Sequence, residues 1–182
     1  MRKKNVQLIC SALAGVALLS ACGQNEDSAP ASDATENEAA EETAVEDAGI
    51  PEGMTAQGMS DLRHEKLENV GDAFKAISDQ LRSDSPDVAA IQTAVASIPP
   101  EVEGMADWFP AGTGPDDGVD TDALAAIWEN KADFLEKESN FQAALVELSA
   151  AADGGNVAAI GEAFKKTGGT CKACHDDYRK DD

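Results

Sequence analysis

The stretch AFKKTGGTCKACHDDYR, residues 163–179, decides how this chain folds and what it can bind. Its two cysteines, Cys171 and Cys174, are three residues apart, and His175 follows directly. Residues three or four apart on an α-helix lie on the same face, so these three side chains would form one cluster. The cluster lies near the end of a chain of 182 residues that has only four cysteines.

Cys-x-x-Cys-His is the attachment signature of c-type haem. Both vinyl groups of one macrocycle must meet a thiol, and two cysteines one helical turn apart can reach the same ring edge. The adjacent histidine then rises under the iron as its proximal ligand. The sequence therefore predicts one covalent haem c, held through Cys171 and Cys174, with His175 as the metal ligand.

Three other interpretations fit the same residues less well. A thioredoxin-like redox pair would need a strand-to-helix context, which the surrounding pattern lacks. A zinc site would need a fourth ligand, and the only other histidine in the chain is His64. A structural disulfide does not require the adjacent histidine.

The N-terminus has the pattern of an export signal. Three bases at residues 2–4 precede an apolar run over residues 6–19, which is shorter than the roughly 20 residues that span a bilayer. Residues 1–21 are therefore expected to be a lipoprotein signal peptide, because Leu19-Ser20-Ala21-Cys22 resembles the lipobox of bacterial lipoproteins. That resemblance implies a lipid on Cys22 that anchors the protein on the periplasmic side of the cell envelope. An uncleaved anchor helix and an ordinary secretory signal, which would leave the protein soluble in the periplasm, are the alternatives.

The composition changes after the signal. Residues 22–55 are predicted to be a flexible acidic tether, since residues 23–55 hold ten acids, no base and almost no large apolar side chain. Residues 56–182 hold 25 acidic and 11 basic side chains, a net charge of −14. A body this acidic is not expected to bind nucleic acid, because phosphates require basic patches, and it would favour basic partners.

The body comprises residues 56–182. The sequence of its first half predicts two helices and no strand. The first is expected over Ala56–Leu81, where apolar residues repeat at intervals of three and four. The second is expected to begin with Ser85 as N-cap and Pro86 as the first helical residue, and to end at Pro99-Pro100. The apolar seam of the first helix consists of Leu67, Val70, Phe74, Ile77 and Leu81.

The second half predicts a glycine- and proline-rich loop followed by two more helices. The third helix is expected from about Thr121 to Ala151 and the fourth from about Val157 to Arg179. Three short connections favour an all-α fold, an antiparallel up-down-up-down four-helix bundle with c-type haem on the C-terminal helix.

A C-terminal Cys-x-x-Cys-His on the fourth helix of a bundle resembles the cytochrome c′ family, over about residues 56–182. The quoted stretch is similar to the family's last helix throughout. WFPAGTGP at 108–115 resembles its loop between helices two and three, IWENKADF at 127–134 its third helix, and DLRHEKLENV at 61–70 its first. Members are usually free periplasmic proteins, and the lipobox and tether depart from that pattern.

The resemblance implies a five-coordinate, high-spin iron with an apolar side chain of the first helix over the vacant site. Leu67 is the candidate, since it cannot ligate iron and can admit small gases such as nitric oxide and carbon monoxide. Arg63, four residues earlier on the same side, is a candidate partner for a haem propionate. Arg179 is expected one turn after His175, beside the proximal pocket. The resemblance also implies homodimers through the first two helices.

Gas binding and electron transfer are therefore the two leading functions. A low-spin, six-coordinate electron-transfer cytochrome would need a sixth ligand, and only Met59 and His64 are near. Met59 is expected to be frayed and His64 to face solvent. A third hypothesis is an interaction lipoprotein in which haem is a structural staple. The sequence shows no catalytic constellation, so an enzyme is not expected, and it indicates no particular redox partner.

Overall fold

The computed structural model describes residues 49–181, so the predicted signal peptide, Cys22 and most of the predicted tether lie outside the described residues. Over that range the chain forms no strand, only an isolated bridge between Ala123 and Arg179, which confirms the all-α prediction. None of the helices within it is long and apolar enough to cross a membrane. The helices are α1 (Ala56–Leu81), α2 (Val88–Glu101), α3 (Ala126–Glu129), α4 (Lys131–Gly154) and α5 (Val157–Tyr178).

The four long helices, α1, α2, α4 and α5, form the predicted antiparallel bundle. Helix α1 packs against α2, α2 against α4, and α4 against α5, whereas the backbones of α5 and α1 approach each other only sparingly. The bundle is therefore closed on three sides and has an open seam along the fourth. Its fully buried core includes Ile77, Ile91, Ile98, Leu148 and Ile160, each worth about 1.5–3 kcal/mol of stability on burial.

Helix α1 has the predicted bounds and faces the core with the predicted seam. Thr55 caps it, since the Thr55 hydroxyl accepts a hydrogen bond of 2.9 Å from the backbone N–H of Gly58. Within the seam, Val70 and Ile77 are buried, while Leu67 and Phe74 are half-buried. The half-buried members lie where α1 borders the open side of the bundle.

Helix α2 begins later and ends later than the sequence predicts. Asp87, not Ser85, is the N-cap, and its carboxylate accepts bonds from the N–H groups of Ala89 at 2.9 Å and Ala90 at 3.1 Å. A carboxylate at this position also interacts favourably with the helix dipole. Pro99 and Pro100 lie inside the last turn. The helix ends one residue after them, at Glu101, because neither proline has an N–H to continue the helical hydrogen bonds.

The predicted third helix is divided in two. Helix α3 has four residues, and Asn130, with φ −124° and ψ 47°, separates it from α4. The expected start near Thr121 is wrong because residues 121–125 bond to the end of α5 instead: Leu124 N–H donates to the Tyr178 carbonyl at 2.9 Å. Long-range bonds override local helix propensity here. Helix α4 continues three residues past Ala151 and stops at Gly155, whose φ of 68° suits glycine.

The connection between α2 and α3 is held by the side chain of Arg63, which is 3% exposed. Its Nη1 donates to the Trp108 carbonyl and to the Thr113 hydroxyl, both at 3.0 Å, and its Nη2 donates to the Thr113 carbonyl at 2.9 Å. The guanidinium also lies over the ring of Phe109, 4.8 Å from its centroid. One side chain of α1 thus fixes both ends of the stretch 108–113.

Burial carries an electrostatic cost for this guanidinium. Desolvation lowers the pKa of Arg63 to about 10, so it remains charged at neutral pH. Two carbonyl oxygens, a hydroxyl and an aromatic face offset the lost hydration. Because the arrangement needs a planar fork of donors, a lysine cannot reproduce it.

Replacing Arg63 with lysine should therefore lower the free energy of unfolding by about 2–4 kcal/mol, as buried acceptors lose charged donors. Urea unfolding followed by helical circular dichroism measures this. Arg82→Lys is the matched control, since Arg82 is 70% exposed and should change stability by less than about 0.5 kcal/mol. Equal effects of the two changes would contradict the role given to Arg63.

Candidate functional site

The Cys-x-x-Cys-His motif lies in the last turns of α5, at the edge of the open seam. Cys171 and Cys174 are half-buried against the core, and His175 is exposed. Both cysteines are free thiols in this structure. Within the described range, no group of three or more histidine, cysteine or acidic side chains is placed to hold a metal ion by itself.

The electrostatics of the three side chains follow from their partial burial. Desolvation raises the pKa of Cys171, and it raises that of Cys174 to about 11, with Lys137 acting in the opposite direction. Desolvation and the nearby charge of Arg179 lower the pKa of His175. The imidazole is therefore neutral at neutral pH, which is the form that can donate a lone pair to a metal.

The register between α1 and α5 places Leu67 and Arg63 at the height of the Cys-x-x-Cys-His motif. The rings of Phe74 on α1 and Phe164 on α5 meet with centroids 5.2 Å apart. The two helices run antiparallel with the same rise per residue, so Leu67 is level with Cys171 and Arg63 is level with His175. The structure therefore brings Leu67 opposite the motif.

Two glycines leave space along this seam. Gly71 lies between Leu67 and Phe74 on α1, and Gly168 lies three residues before Cys171 on α5. A Cβ atom added at either glycine would meet no atom within 4 Å. Glycine inside a helix costs roughly 0.5–1 kcal/mol relative to alanine, so such positions are expected where space is needed.

The lining of the seam fits a flat, largely apolar group such as a haem. Leu67, Phe74, Phe164 and both cysteines of the motif are apolar and only half-buried, so they leave surface that a bound group would cover. The two glycines leave room for its faces, and the phenylalanine pair closes one end.

The first turns of α4 hold the turn of α5 that carries the motif. The Tyr178 hydroxyl donates to the Asp133 carboxylate at 2.5 Å, and Lys137 forms an ion pair of 2.9 Å with Asp177. The ring of Tyr178 also packs edge-on against Phe134, with centroids 5.4 Å apart. These contacts fix the residues two and three positions after His175.

Residues 120–124 connect the start of α1 with the end of α5. The Asp120 carbonyl accepts from Ser60 at 2.9 Å and from Gln57 at 3.0 Å, while the Asp122 carbonyl accepts from the Lys180 N–H at 2.8 Å. We call residues 120–124 the end clamp. It holds the open seam at the end opposite to the phenylalanine pair.

The end clamp changes the expectation for Arg179. The sequence predicted this residue on the helix, whereas α5 ends at Tyr178 and Arg179 is extended, with φ −120° and ψ 143°. Its backbone pairs with Ala123 in the isolated bridge, so a tertiary contact, not the helical repeat, sets its direction. After desolvation, its charge is the second cause that lowers the pKa of His175.

The two possible sixth ligands on α1 have different environments. His64 is exposed, as expected. Met59 is 2% exposed, so the expectation of a frayed residue is wrong. Met59 belongs to the hydrophobic core, and the end clamp bonds to its neighbours Gln57 and Ser60. Met59 lies four residues before Arg63, and so about 6 Å along the helix from the level of His175.

Several residues of the site were not singled out from the sequence. Gly71 carries a readable signal, since a glycine inside a helix with no turn nearby marks close approach or open space. Thr113, Asp133 and the end clamp carry none, because their partners are 45 or more residues away in the chain.

Comparison with known proteins gives a consistent result. Residues 59–179 match the family model for cytochrome c′. The chain is 45% identical over 73 residues to a cytochrome c′ of Alcaligenes xylosoxydans xylosoxydans, covering 40% of this chain and 55% of that protein. It is 37% identical over 125 residues to the cytochrome c′ of Rhodospirillum rubrum, covering 66% of this chain and 81% of the relative.

Solved structures show the same similarity. The nitric oxide complex of a leucine-to-alanine mutant of cytochrome c′ from Alcaligenes xylosoxidans superposes with a TM-score of 0.64 at 30% identity, covering 70% of this chain and 98% of the other. A cytochrome c′ described as having an unusual ligand-controlled dimer dissociation gives a TM-score of 0.66 at 25% identity, covering 71% and 99%. The family match, the fold and the motif on α5 agree, and the chain belongs to the cytochrome c′ family.

Proposed function

We propose that the open seam binds one haem c covalently, with Cys171 and Cys174 in thioether bonds and His175 as the proximal ligand. The observation that carries this proposal is the motif's position beside a seam of half-buried apolar side chains with two open glycine positions. When bound, the haem supplies an iron that binds small gases or exchanges an electron. The family is one of haem carriers, and we propose no enzymatic turnover.

The chain's own residues have separate roles in this site. The cysteines fix the macrocycle to α5, and the neutral imidazole of His175 offers its lone pair. Asp133 and Lys137 hold the following turn of α5, which limits the directions that the imidazole can take. Desolvation, and after it the charge of Arg179, lowers the pKa of the imidazole and so favours its neutral form.

Arg63 has a larger structural role than the sequence suggested. Three of the five N–H groups of its guanidinium are used by Trp108 and Thr113. A propionate would have to use the remaining two. We therefore propose that Arg63 contacts a propionate through these two N–H groups while the other three hold the loop.

On the distal side, we propose a five-coordinate, high-spin iron below Leu67 that binds nitric oxide and carbon monoxide. The level of Leu67 with Cys171 supports this, as does the nitric oxide complex described for the Alcaligenes relative. Electron transfer through a low-spin, six-coordinate iron is the alternative. Neither possible sixth ligand belongs to the half-buried lining of the seam, because Met59 is buried in the core and His64 is exposed.

In the cell, we propose a protein on the periplasmic side of the envelope, anchored by lipid on Cys22, or soluble there if Cys22 is not acylated. Pairing through α1 and α2 is proposed from the resemblance and from the relative with ligand-controlled dimer dissociation. The acidic composition gives no reason to propose a nucleic acid partner.

Covalent attachment should be visible directly in the protein exported from a host that attaches haem c. Wild-type protein should keep its haem after acid–acetone extraction, and the double change Cys171→Ala with Cys174→Ala should release it, because the thioether bonds are absent. Pyridine haemochrome spectra measure the haem retained.

Two glycine variants test where the haem lies. Gly168→Leu should sharply reduce haem content by filling the seam. Gly169→Leu adds the same side chain one residue away, facing a separate groove between α4 and α5, and should not. Haem lost from the wild type, or equal effects of the two leucines, would count against the proposal.

Replacing Leu67 with alanine should open the distal side. Less bulk over the iron should accelerate carbon monoxide association, measured by flash photolysis. Stability should fall toward the lower end of the roughly 2–5 kcal/mol typical of leucine-to-alanine changes, because Leu67 is only half-buried.

Met59→Leu and His64→Ala are the controls for the distal site, and both should retain the wild-type absorption spectrum. A low-spin wild-type spectrum that either change converts to high-spin would favour the electron-transfer alternative.

The membrane anchor should be detectable at the mature N-terminus. Mass spectrometry of protein exported by a bacterial host should show Cys22 as the first residue, carrying a diacylglyceryl group, and Cys22→Ser should abolish it. Cleavage at another position, without lipid, would refute the anchor and leave the haem proposal intact.

A further inference from the structure

Tyr178 is the only tyrosine in the chain and has an unusual environment. Its side chain is 5% exposed, and its hydroxyl donates to the Asp133 carboxylate at 2.5 Å. Burial, and then the bond to Asp133, raise the pKa of the phenol far above its usual range. The Asp133 side chain is 56% exposed and can exchange protons with solvent.

Tyr178 also lies three residues after His175, one helical turn along the same side of α5. An electron can therefore pass between the proposed haem site and the phenol over a short distance. We infer that Tyr178, with Asp133 as its proton acceptor, gives up an electron when hydrogen peroxide reacts at the haem. This inference rests on the proposed haem at His175.

The reaction balances as follows. Hydrogen peroxide accepts two electrons and, with two protons from solvent, leaves as two water molecules. One electron comes from the haem iron, which passes from the ferrous to the ferric state, and the other from Tyr178. The phenolic O–H bond breaks, its proton passes to the Asp133 carboxylate, and a neutral tyrosyl radical remains.

The structure favours Tyr178 over the tryptophan that lies on the same aromatic chain. Phe134 and Phe109 connect Tyr178 to Trp128, with centroid distances of 5.4, 4.8 and 6.1 Å in order. The guanidinium of Arg63 lies 5.8 Å from the Trp128 ring, and its charge opposes a radical cation there. The Trp128 N–H bonds to the Pro110 carbonyl, which is a far weaker base than a carboxylate.

The test uses the full haem-loaded protein in its ferrous state, grown with ring-deuterated tyrosine or ring-deuterated tryptophan and freeze-quenched with hydrogen peroxide. The electron paramagnetic resonance signal of the organic radical should narrow only with deuterated tyrosine. Narrowing with deuterated tryptophan, or no organic radical in haem-loaded protein, overturns the inference. Covalent haem is checked before peroxide is added. If it is absent, that finding contradicts the proposed function and not the inference about Tyr178.

Two variants separate a redox role from a structural one. Asp133→Asn keeps an acceptor oxygen but removes the base, and should lower the radical yield about tenfold. Glu136→Gln removes the same charge from an exposed position on α4 and should leave the yield unchanged. Tyr178→Phe keeps the packed ring. The haem absorbance of this variant should fall faster than that of the wild type under repeated additions of hydrogen peroxide. Equal yields for Asp133→Asn and the wild type, or equal bleaching, would overturn the assignment.

Discussion

The site depends on keeping α1 and α5 apart while the rest of the bundle is closed. Apolar helices placed side by side in water tend to close any gap between them, because exposed apolar surface is unfavourable. Here the gap is held at both ends, by the phenylalanine pair at one and by the end clamp at the other. Glycines at the middle of both helices leave the space unfilled.

The connection between α2 and α3 provides much of the stabilising contact that α1 and α5 do not make with each other. Arg63 fixes its first part against α1, and the end clamp fixes its last part against both α1 and α5. The polar groups involved are mostly backbone carbonyls, which do not depend on the identity of the loop residues. A chain segment of low regularity can therefore be as well defined as a helix.

The motif is also supported from the side of α4. Lys137 and Asp133 each bond to a residue shortly after His175, and the two bonds act on adjacent positions of α5. Because Tyr178 is buried and bonded to a carboxylate, the same contact that orients this turn also provides a protonated phenol with its own base. Positioning and the proposed electron supply thus rest on the same pair of side chains.

The sequence alone determined that there are four long helices, their order, the motif on the last helix and the side of α1 that faces it. These features are local or periodic, because apolar spacing, caps and the interval between the cysteines each depend on residues that are close together in the chain. Even so, local signals misplaced the cap of α2, since Ser85 and Asp87 are both plausible caps and only packing decides between them.

The tertiary structure alone decided the open seam, the burial of Met59, the extended Arg179, and the partners of Arg63 and Tyr178. Each depends on residues that are 45 or more positions apart in the chain, or on a contact made by the irregular connection between α2 and α3. Such pairings carry no periodic signal, because the free energy that selects them comes from satisfying particular buried polar groups once the bundle has formed. The sequence therefore determined which chemistry the chain carries, and the tertiary contacts decided how that chemistry is oriented.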